Sequence, residues 1–339
     1  MNLRNAEELS YTQIREIDKR KTVCFLPVSA LEVHGPHLPL GMDLYMARWM
    51  AEEAGRRFAA NHPDWTVIQY PPLPLGTDEL PLAGSMNTNQ RTVYTGLRDQ
   101  GESLARAGFE FIVVTNGHGG PRHASGIEAA CRRVSRKTGA SMFSPSIAVM
   151  HAIITGAHFD FIEEQLGRPL SDAERDGMLS GEHAGTWETS FMLAQNPDLV
   201  EEGYQHLAKN GPPTFGPLQA AGEKFLAFRE KRGADTSHSR EVLGAITGGL
   251  GWLLNTRYGY AGPAISYQGT PAVASAEIGH IFRELLANGC HELVEDVTSG
   301  RKSAVDVRSI ASDPLVIQPG VLSGLGMAAA AVIALLVLL

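Results

Sequence analysis

Cysteine is scarce in this chain: three among 339 residues, at Cys24, Cys131 and Cys290, each inside an apolar segment. Their wide spacing excludes a disulfide framework or a Cys-rich metal site and reads as reduced core residues of a cytosolic protein. Positive charge is short as well, with 29 Lys and Arg against 37 Asp and Glu and a formal charge of -8. Nucleic-acid binding needs clustered cations, and the densest group, Arg132-Arg133 with Arg136-Lys137, has the spacing of a solvated helix face. Met1 to Lys21 is polar and charged throughout, so no secretory signal is read there. No internal repeat is visible, and no low-complexity tract precedes the C-terminal tail. With 43% hydrophobic and 19% charged residues the chain has an ordinary enzyme composition, long enough for one large α/β domain or two smaller ones.

The tail is the exception. Val321–Leu339 carries no charge over 19 residues and ends in an Ala-, Val- and Leu-rich run after a Pro319-Gly320 hinge. As a helix it would span roughly 28 Å, close to the hydrocarbon thickness of a bilayer. Arg301, Lys302 and Arg308 upstream would keep the body on the cytoplasmic side. The expectation is therefore a catalytic domain over 1–310 and, over 321–339, a transmembrane anchor. The alternative is a helix buried in a subunit interface or against the main sheet.

Along 20–150, short β-branched runs alternate with amphipathic stretches. Val23–Val28 leads to a helix near Leu44–Ala60, and Thr66–Tyr70 leads to a helix near Gln90–Ala107. Glu110–Thr115 leads to one near His123–Thr138, and a further apolar run, Ser141–Met150, follows. That alternation predicts βαβ units and a parallel sheet covered on both faces. Residues 155–240 look less regular and suggest an inserted lobe or long loops, and helices are expected near Arg240–Thr256 and Ala276–Thr298.

Chemistry concentrates where runs end. Glu32-Val33-His34-Gly35-Pro36-His37, followed by Asp43, puts two imidazoles and two carboxylates into a short stretch after the first run. In extended chain Glu32 and His34, two apart, face one side, and Asp43 comes back as the next helix begins. Asp43 also suits a helix N-cap, a role compatible with metal binding. His118 lies in the glycine-rich Asn116-Gly117-His118-Gly119-Gly120 after the Glu110–Thr115 run. A third cluster, Glu182-His183-Ala184-Gly185-Thr186-Trp187-Glu188-Thr189-Ser190, opens another helix. His and carboxylate groups at strand ends are what zinc or manganese needs, and this inventory would hold two cations about 3.5–4 Å apart. The chain reads as a metal-dependent hydrolase.

The stretch from Ser29 to Asp43 resembles the first signature of the creatininase (creatinine amidohydrolase) family, and 116–120 and 183–190 resemble its second and third. Gly84-Ser85-Met86, and Tyr267-Gln-Gly-Thr-Pro271 leading to Ala274–Glu277 and Gly279, fit the same order, so the resemblance covers about 20–285. It implies a three-layer α/β/α fold with a mostly parallel central sheet, a homo-oligomer, and hydrolysis of a C–N bond in a small amide or cyclic amide by a metal-activated bridging water. Carried over, Glu32 and His118 hold one metal, His34 the other, and Asp43 bridges; zinc is expected first, with manganese or iron as alternatives. His183 and Glu188 fall where the family handles substrate, protons or the second metal. One departure matters: Gly119 and Gly120 replace a bulky residue and an acidic second-metal ligand of creatinine-hydrolysing members, and Pro121 replaces a frequent Asn. Glu188 is then the nearest candidate for the substitute ligand, while Glu188 or His183 would shuttle the proton to the leaving nitrogen, and creatinine is not the expected substrate. Branches with a Gly-Gly loop act on formamides, peptides or cyclic sugar-like substrates, which gives the second reading. A third is a non-catalytic, membrane-tethered metal-binding protein.

Overall fold

The computed structural model describes residues 2–179, 182–211, 216–233, 236, 243 and 266–309. Its strands are β1 (Leu3–Asn5), β2 (Thr22–Ser29), β3 (Thr66–Gln69), β4 (Leu73–Pro74), β5 (Phe111–Thr115) and β6 (Ser141–Phe143). Its helices are α1 (Tyr11–Glu16), α2 (Met42–Asn61), α3 (Gln90–Arg106), α4 (Pro121–Thr138), α5 (Ser146–Ile154), α6 (Phe159–Leu166), α7 (Asp172–Leu179), α8 (Thr186–Gln195), α9 (Gly216–Glu230) and α10 (Ala276–Thr298).

The strands form one sheet in the order β1-β3-β2-β5-β6, with β4 added to the end of β2, and every ladder between these strands is parallel. The side-chain alternation of β2 and β5 fixes the layers. Val23, Phe25 and Val113 pack into a core with α2, α8 and α10. Leu26, Val28, Ile112 and Val114 pack into a second core with α3 and α4. Both faces are covered, so the expected three-layer α/β/α architecture is present. β2 and β5 are direct neighbours, in register from Val23↔Phe111 to Pro27↔Thr115. Their carboxyl ends therefore deliver the loops bearing Glu32, His34 and His118 to one place.

Two readings of the sequence are corrected. The described residues of 155–230 are largely helical, holding α6, α7, α8 and α9. α6 and α7 have eight residues each, about two turns, too few for an apolar period to stand out between the glycines. The run Ser141–Met150 is not one element: the strand ends at Phe143, and Pro145 is the N-cap of α5. Of the helix expected near Arg240–Thr256 only Leu243 is described. Among the described residues no helix is long and apolar enough to cross a membrane. The tail, 321–339, lies outside them.

α10 spans the expected Ala276–Thr298, capped by Ser275, whose side chain accepts from the Ile278 N–H. It packs chiefly on α8, crossing it at Gly279, where a Cβ would lie 1.9 Å from the Ser190 carbonyl oxygen and 2.9 Å from Ala194 Cβ. Gly279→Ala must push two backbones apart. It should lower stability by about 2–3 kcal/mol, read from urea or thermal unfolding. An unchanged midpoint would show that the crossing has slack.

Candidate metal centre

The loop after β2 is folded back on itself. Gly35 adopts φ 69°, a left-handed conformation that favours glycine. The Glu32 N–H donates to the Leu40 carbonyl, the Leu38 N–H to the His34 carbonyl, and the Gly35 N–H to Ser266. This hairpin aims Glu32 and His34 inward together. α2 follows with Gly41 as its N-cap, so Asp43 is in the first turn but does not cap; its carboxylate is fully buried and turned to the histidines.

The loop after β5 is organised by the Asn116 side chain. Its Oδ1 accepts from the Ser29 hydroxyl, the His118 N–H and His123 Nε2, and its Nδ2 donates to the His118 carbonyl. Gly117 lets this loop lie on α2, where a Cβ would sit 2.4 Å from the Asp43 carbonyl. His118 is thereby held beside Asp43.

In the third loop Glu182 does the capping. Its two carboxylate oxygens accept the Trp187 and Glu188 N–H groups at the start of α8, three residues ahead of the N-cap glycine. Ala184 takes φ 52°, unusual for a residue with a Cβ, and its N–H donates to Glu188 Oε2. His183 and Glu188 thus face the same site, with the helix beginning between them.

The three loops bring all six sequence-derived candidates together. His118 Nδ1 lies 2.7 Å from Glu32 Oε1 and 3.2 Å from Asp43 Oδ2. His34 Nε2 lies 3.1 Å from Asp43 Oδ1 and 3.5 Å from Glu188 Oε2. His183 Nδ1 is 4.0 Å from Glu32 Oε1, and its ring lies 4.5 Å from that of His34. Three ligand triplets result: Glu32, Asp43 and His118; His34, Asp43 and Glu188; and Glu32, His34 and His183. The first two share only Asp43.

Backbone carbonyls fix the tautomers. The other ring nitrogens reach acceptor-only groups: His118 Nε2 is 3.1 Å from the Thr77 carbonyl, His34 Nδ1 3.0 Å from that of Glu32, and His183 Nε2 2.8 Å from that of Val33. Each of these nitrogens carries its proton, so in the neutral ring the inward nitrogen presents a lone pair. Once the inward proton of His34 and His118 is displaced, as a cation requires, lone pairs face carboxylate oxygens at close range, and Glu32 Oε1 and Asp43 Oδ2 lie buried without a well-formed hydrogen bond. Lone pairs of this kind converging on buried orphan oxygens suit a cation, and histidines braced by carbonyls suit metal ligation. The donor set of nitrogen and oxygen without sulfur fits zinc or manganese.

Burial and the clustered charges set the titration of the site. Burial alone would lower His34, but the Asp43 and Glu188 carboxylates outweigh it and push it up to about 10. His118, buried beside Glu32 and Asp43, is raised well above its usual value in the same way. Burial, with His34 nearby, brings His183 down to about 4 despite Glu32. Burial lifts Glu188 to about 7 against the pull of His34, whereas Asp43 is held low because the histidines overcome its burial.

Some contributors carried no signal in the sequence. Thr77 and Leu80 act through their backbone, the Leu80 N–H donating to Glu32 Oε2. Glu79 is buried beside them with neither carboxylate oxygen hydrogen-bonded, and burial pushes it up to about 7. Gly120 is also explained: a Cβ there would meet His118 Nε2 at 2.4 Å and Asp78 Cβ at 2.8 Å. Asp78, bound to Arg122 through its N–H and Nε, occupies the space an acid at 120 would need.

Comparisons with known proteins bear on the family and the fold. The sequence model of the creatinine amidohydrolase family, Creatininase, matches residues 7–294. The chain is 27% identical over 199 residues to a creatinine amidohydrolase of Pseudomonas putida, covering 58% of this chain and 72% of that protein. Among solved structures, a manganese form of creatininase aligns with TM-score 0.57 at 20% identity, covering 87% of this chain and 98% of the other. A Zn–Zn form of a creatininase mutant aligns at TM-score 0.55 and 20% identity, with 87% and 97% covered. A creatininase mutant complexed with creatine aligns at TM-score 0.55 and 20% identity, with 87% and 98% covered.

Proposed function

The chain belongs to the creatininase (creatinine amidohydrolase) family, and we propose that it is a two-metal amidohydrolase cleaving a non-peptide C–N bond in a small amide or cyclic amide. The observation that carries this reading is the pair of ligand triplets joined by Asp43, with the outer nitrogens of His34 and His118 held by backbone carbonyls so that the inner ones face the carboxylates. Glu32 and His118 would hold one cation and His34 and Glu188 the other, with Asp43 between them. Zinc is the first candidate for both positions, with manganese or iron as alternatives. When bound, two such cations would lower the pKa of an attacking water and polarise the scissile carbonyl. His183 Nδ1, turned inward by the Val33 carbonyl, is placed to move the proton toward the leaving nitrogen. Burial keeps that imidazole neutral at pH 7 and able to accept a proton.

Creatinine is not the expected substrate, because the acid at position 120 is absent and Asp78 fills its space. Gly119 is exposed and a Cβ there would meet nothing within 4 Å, so no side chain closes the loop at that point. That favours, as the second reading, a peptide or a cyclic sugar-like substrate at the same centre. A non-catalytic scaffold would not need Glu32, His34, Asp43, His118 and Glu188 all converging. The test is hydrolysis of a panel of formamides, cyclic amides and N-acyl compounds by protein loaded with zinc or manganese, before and after chelation. Chelator-sensitive release of amine or carboxylate supports the amidohydrolase. Hydrolysis confined to peptides or to the sugar-like compounds supports the second reading, and no turnover of any compound refutes both.

The proposed surroundings are the cytoplasm, as a homo-oligomer, with the body attached to a membrane through Val321–Leu339. The Ser309 N–H and hydroxyl are bound to the buried Glu128 on α4, so the described body is tied down as far as Ser309. A chain ending at Pro319 should therefore fold with an unchanged melting temperature and stay in the supernatant. The full-length chain should sediment with membranes and resist carbonate, since burial of apolar residues is not electrostatic. Monodisperse full-length protein without detergent would remove the anchor.

A further inference from the structure

His37 belongs to the first loop but takes no part in the ligand triplets. It is buried, and its Nε2 lies 2.9 Å from the Thr189 hydroxyl on α8. The Thr189 hydroxyl in turn donates to the Ala184 carbonyl at 3.4 Å. In the tautomer that keeps this contact, His37 Nε2 donates to Thr189 and the ring is the neutral Nε2–H form. Burial, with the His34 ring close by, holds His37 neutral by bringing it down to about 4.

What the relay holds is a strained peptide. Ala184, with φ 52°, sits in the left-handed region that favours glycine and strains a residue with a Cβ. Its carbonyl is fixed from the Thr189 side, and its N–H is what grips Glu188 Oε2. Were Ala184 to relax, that N–H would swing away and Glu188 would lose the contact that aims it at His34. The His37 carbonyl, accepting from the Glu201 N–H, keeps the first loop rigid behind the relay.

We propose that His37 and Thr189 are positioning residues that hold the Ala184 turn and so aim Glu188 at the second cation, the one shared with His34 and Asp43. This rests on the two-cation reading above. It also accounts for how a chain with glycine at 120 keeps that position: the replacement carboxylate comes from another loop and needs a brace of its own. The device belongs to one metal position and leaves the Glu32, Asp43 and His118 position untouched.

The test is equilibrium dialysis of the full-length protein against graded free Mn²⁺, with bound metal counted per chain and the melting temperature recorded for each variant. The wild type should take up two equivalents. Thr189→Val and His37→Ala should weaken one equivalent by about 10–100-fold, the usual effect of removing a partner behind a ligand, and leave the other within about threefold. Thr189→Ser, which keeps the hydroxyl, should restore it. The double variant should be no worse than either single one, because one relay has been broken once. Equal weakening of both equivalents, or two equivalents unaffected in Thr189→Val, overturns the proposal while leaving the two-cation reading standing. Fewer than two equivalents in the wild type overturns both. If His37→Ala fails to fold, the Val and Ser pair at Thr189 decides alone.

Discussion

Asp43→Ala is expected to take the purified protein from two metal ions per chain to nearly none, and turnover to background. Asp43 is the one group common to the Glu32–His118 and His34–Glu188 triplets, with Oδ1 turned to His34 and Oδ2 to His118. Its removal therefore deprives both positions at once, whereas Glu32→Ala should spare the His34 position. The folded chain should survive, because the carboxylate does not cap α2: Gly41 stands at the N-cap and the Tyr45 N–H closes the first turn onto its carbonyl. Elemental analysis of the dialysed variant, beside its melting temperature, checks this. Full occupancy in Asp43→Ala would mean that the two positions do not share a ligand.

His183→Ala and Glu188→Gln should separate chemistry from ligation. His183→Ala is expected to keep both ions and lower kcat by about 10²–10⁴-fold, the usual contribution of a positioned acid or base. The reasoning is that its Nδ1 stands 4.0 Å from Glu32, farther out than the His118 and His34 contacts. Glu188→Gln is expected to lose one ion together with turnover, since its Oε2 completes the triplet with His34 and Asp43. The Ala184 N–H would then face an amide instead of a carboxylate. Should His183→Ala shed a metal with the same loss of turnover, His183 is a ligand of the Glu32–His34 triplet. Near wild-type rates in both variants would remove this loop from the centre.

Much of this was legible in the chain because the chemistry sits on local patterns. The two-residue offset of Glu32 and His34, and glycines around His118, mark loops that leave adjacent strands. The alternation of β2 and β5 with α2 and α4 is strong enough to predict a parallel sheet covered on both faces. What could not be read depends on tertiary approach. Nothing in the spacing of Thr77 and Leu80 announces that their backbone groups hold His118 and Glu32. The space at Gly120 is explained only once Asp78 is seen beside it. Likewise, His37 in sequence is one more histidine of a rich loop, and its link to Thr189 crosses 152 residues. α6 and α7 escaped because two-turn helices draw their stability from packing more than from periodicity.

The central claim is that two cations share Asp43 at the ends of β2 and β5. The most direct test is an anomalous difference map from crystals of the manganese-loaded protein. The account predicts two peaks per chain, about 3.5–4 Å apart, one against Glu32 and His118 and the other against His34 and Glu188, with the Asp43 carboxylate between them. A single peak, or two peaks with Asp43 touching only one, would contradict it.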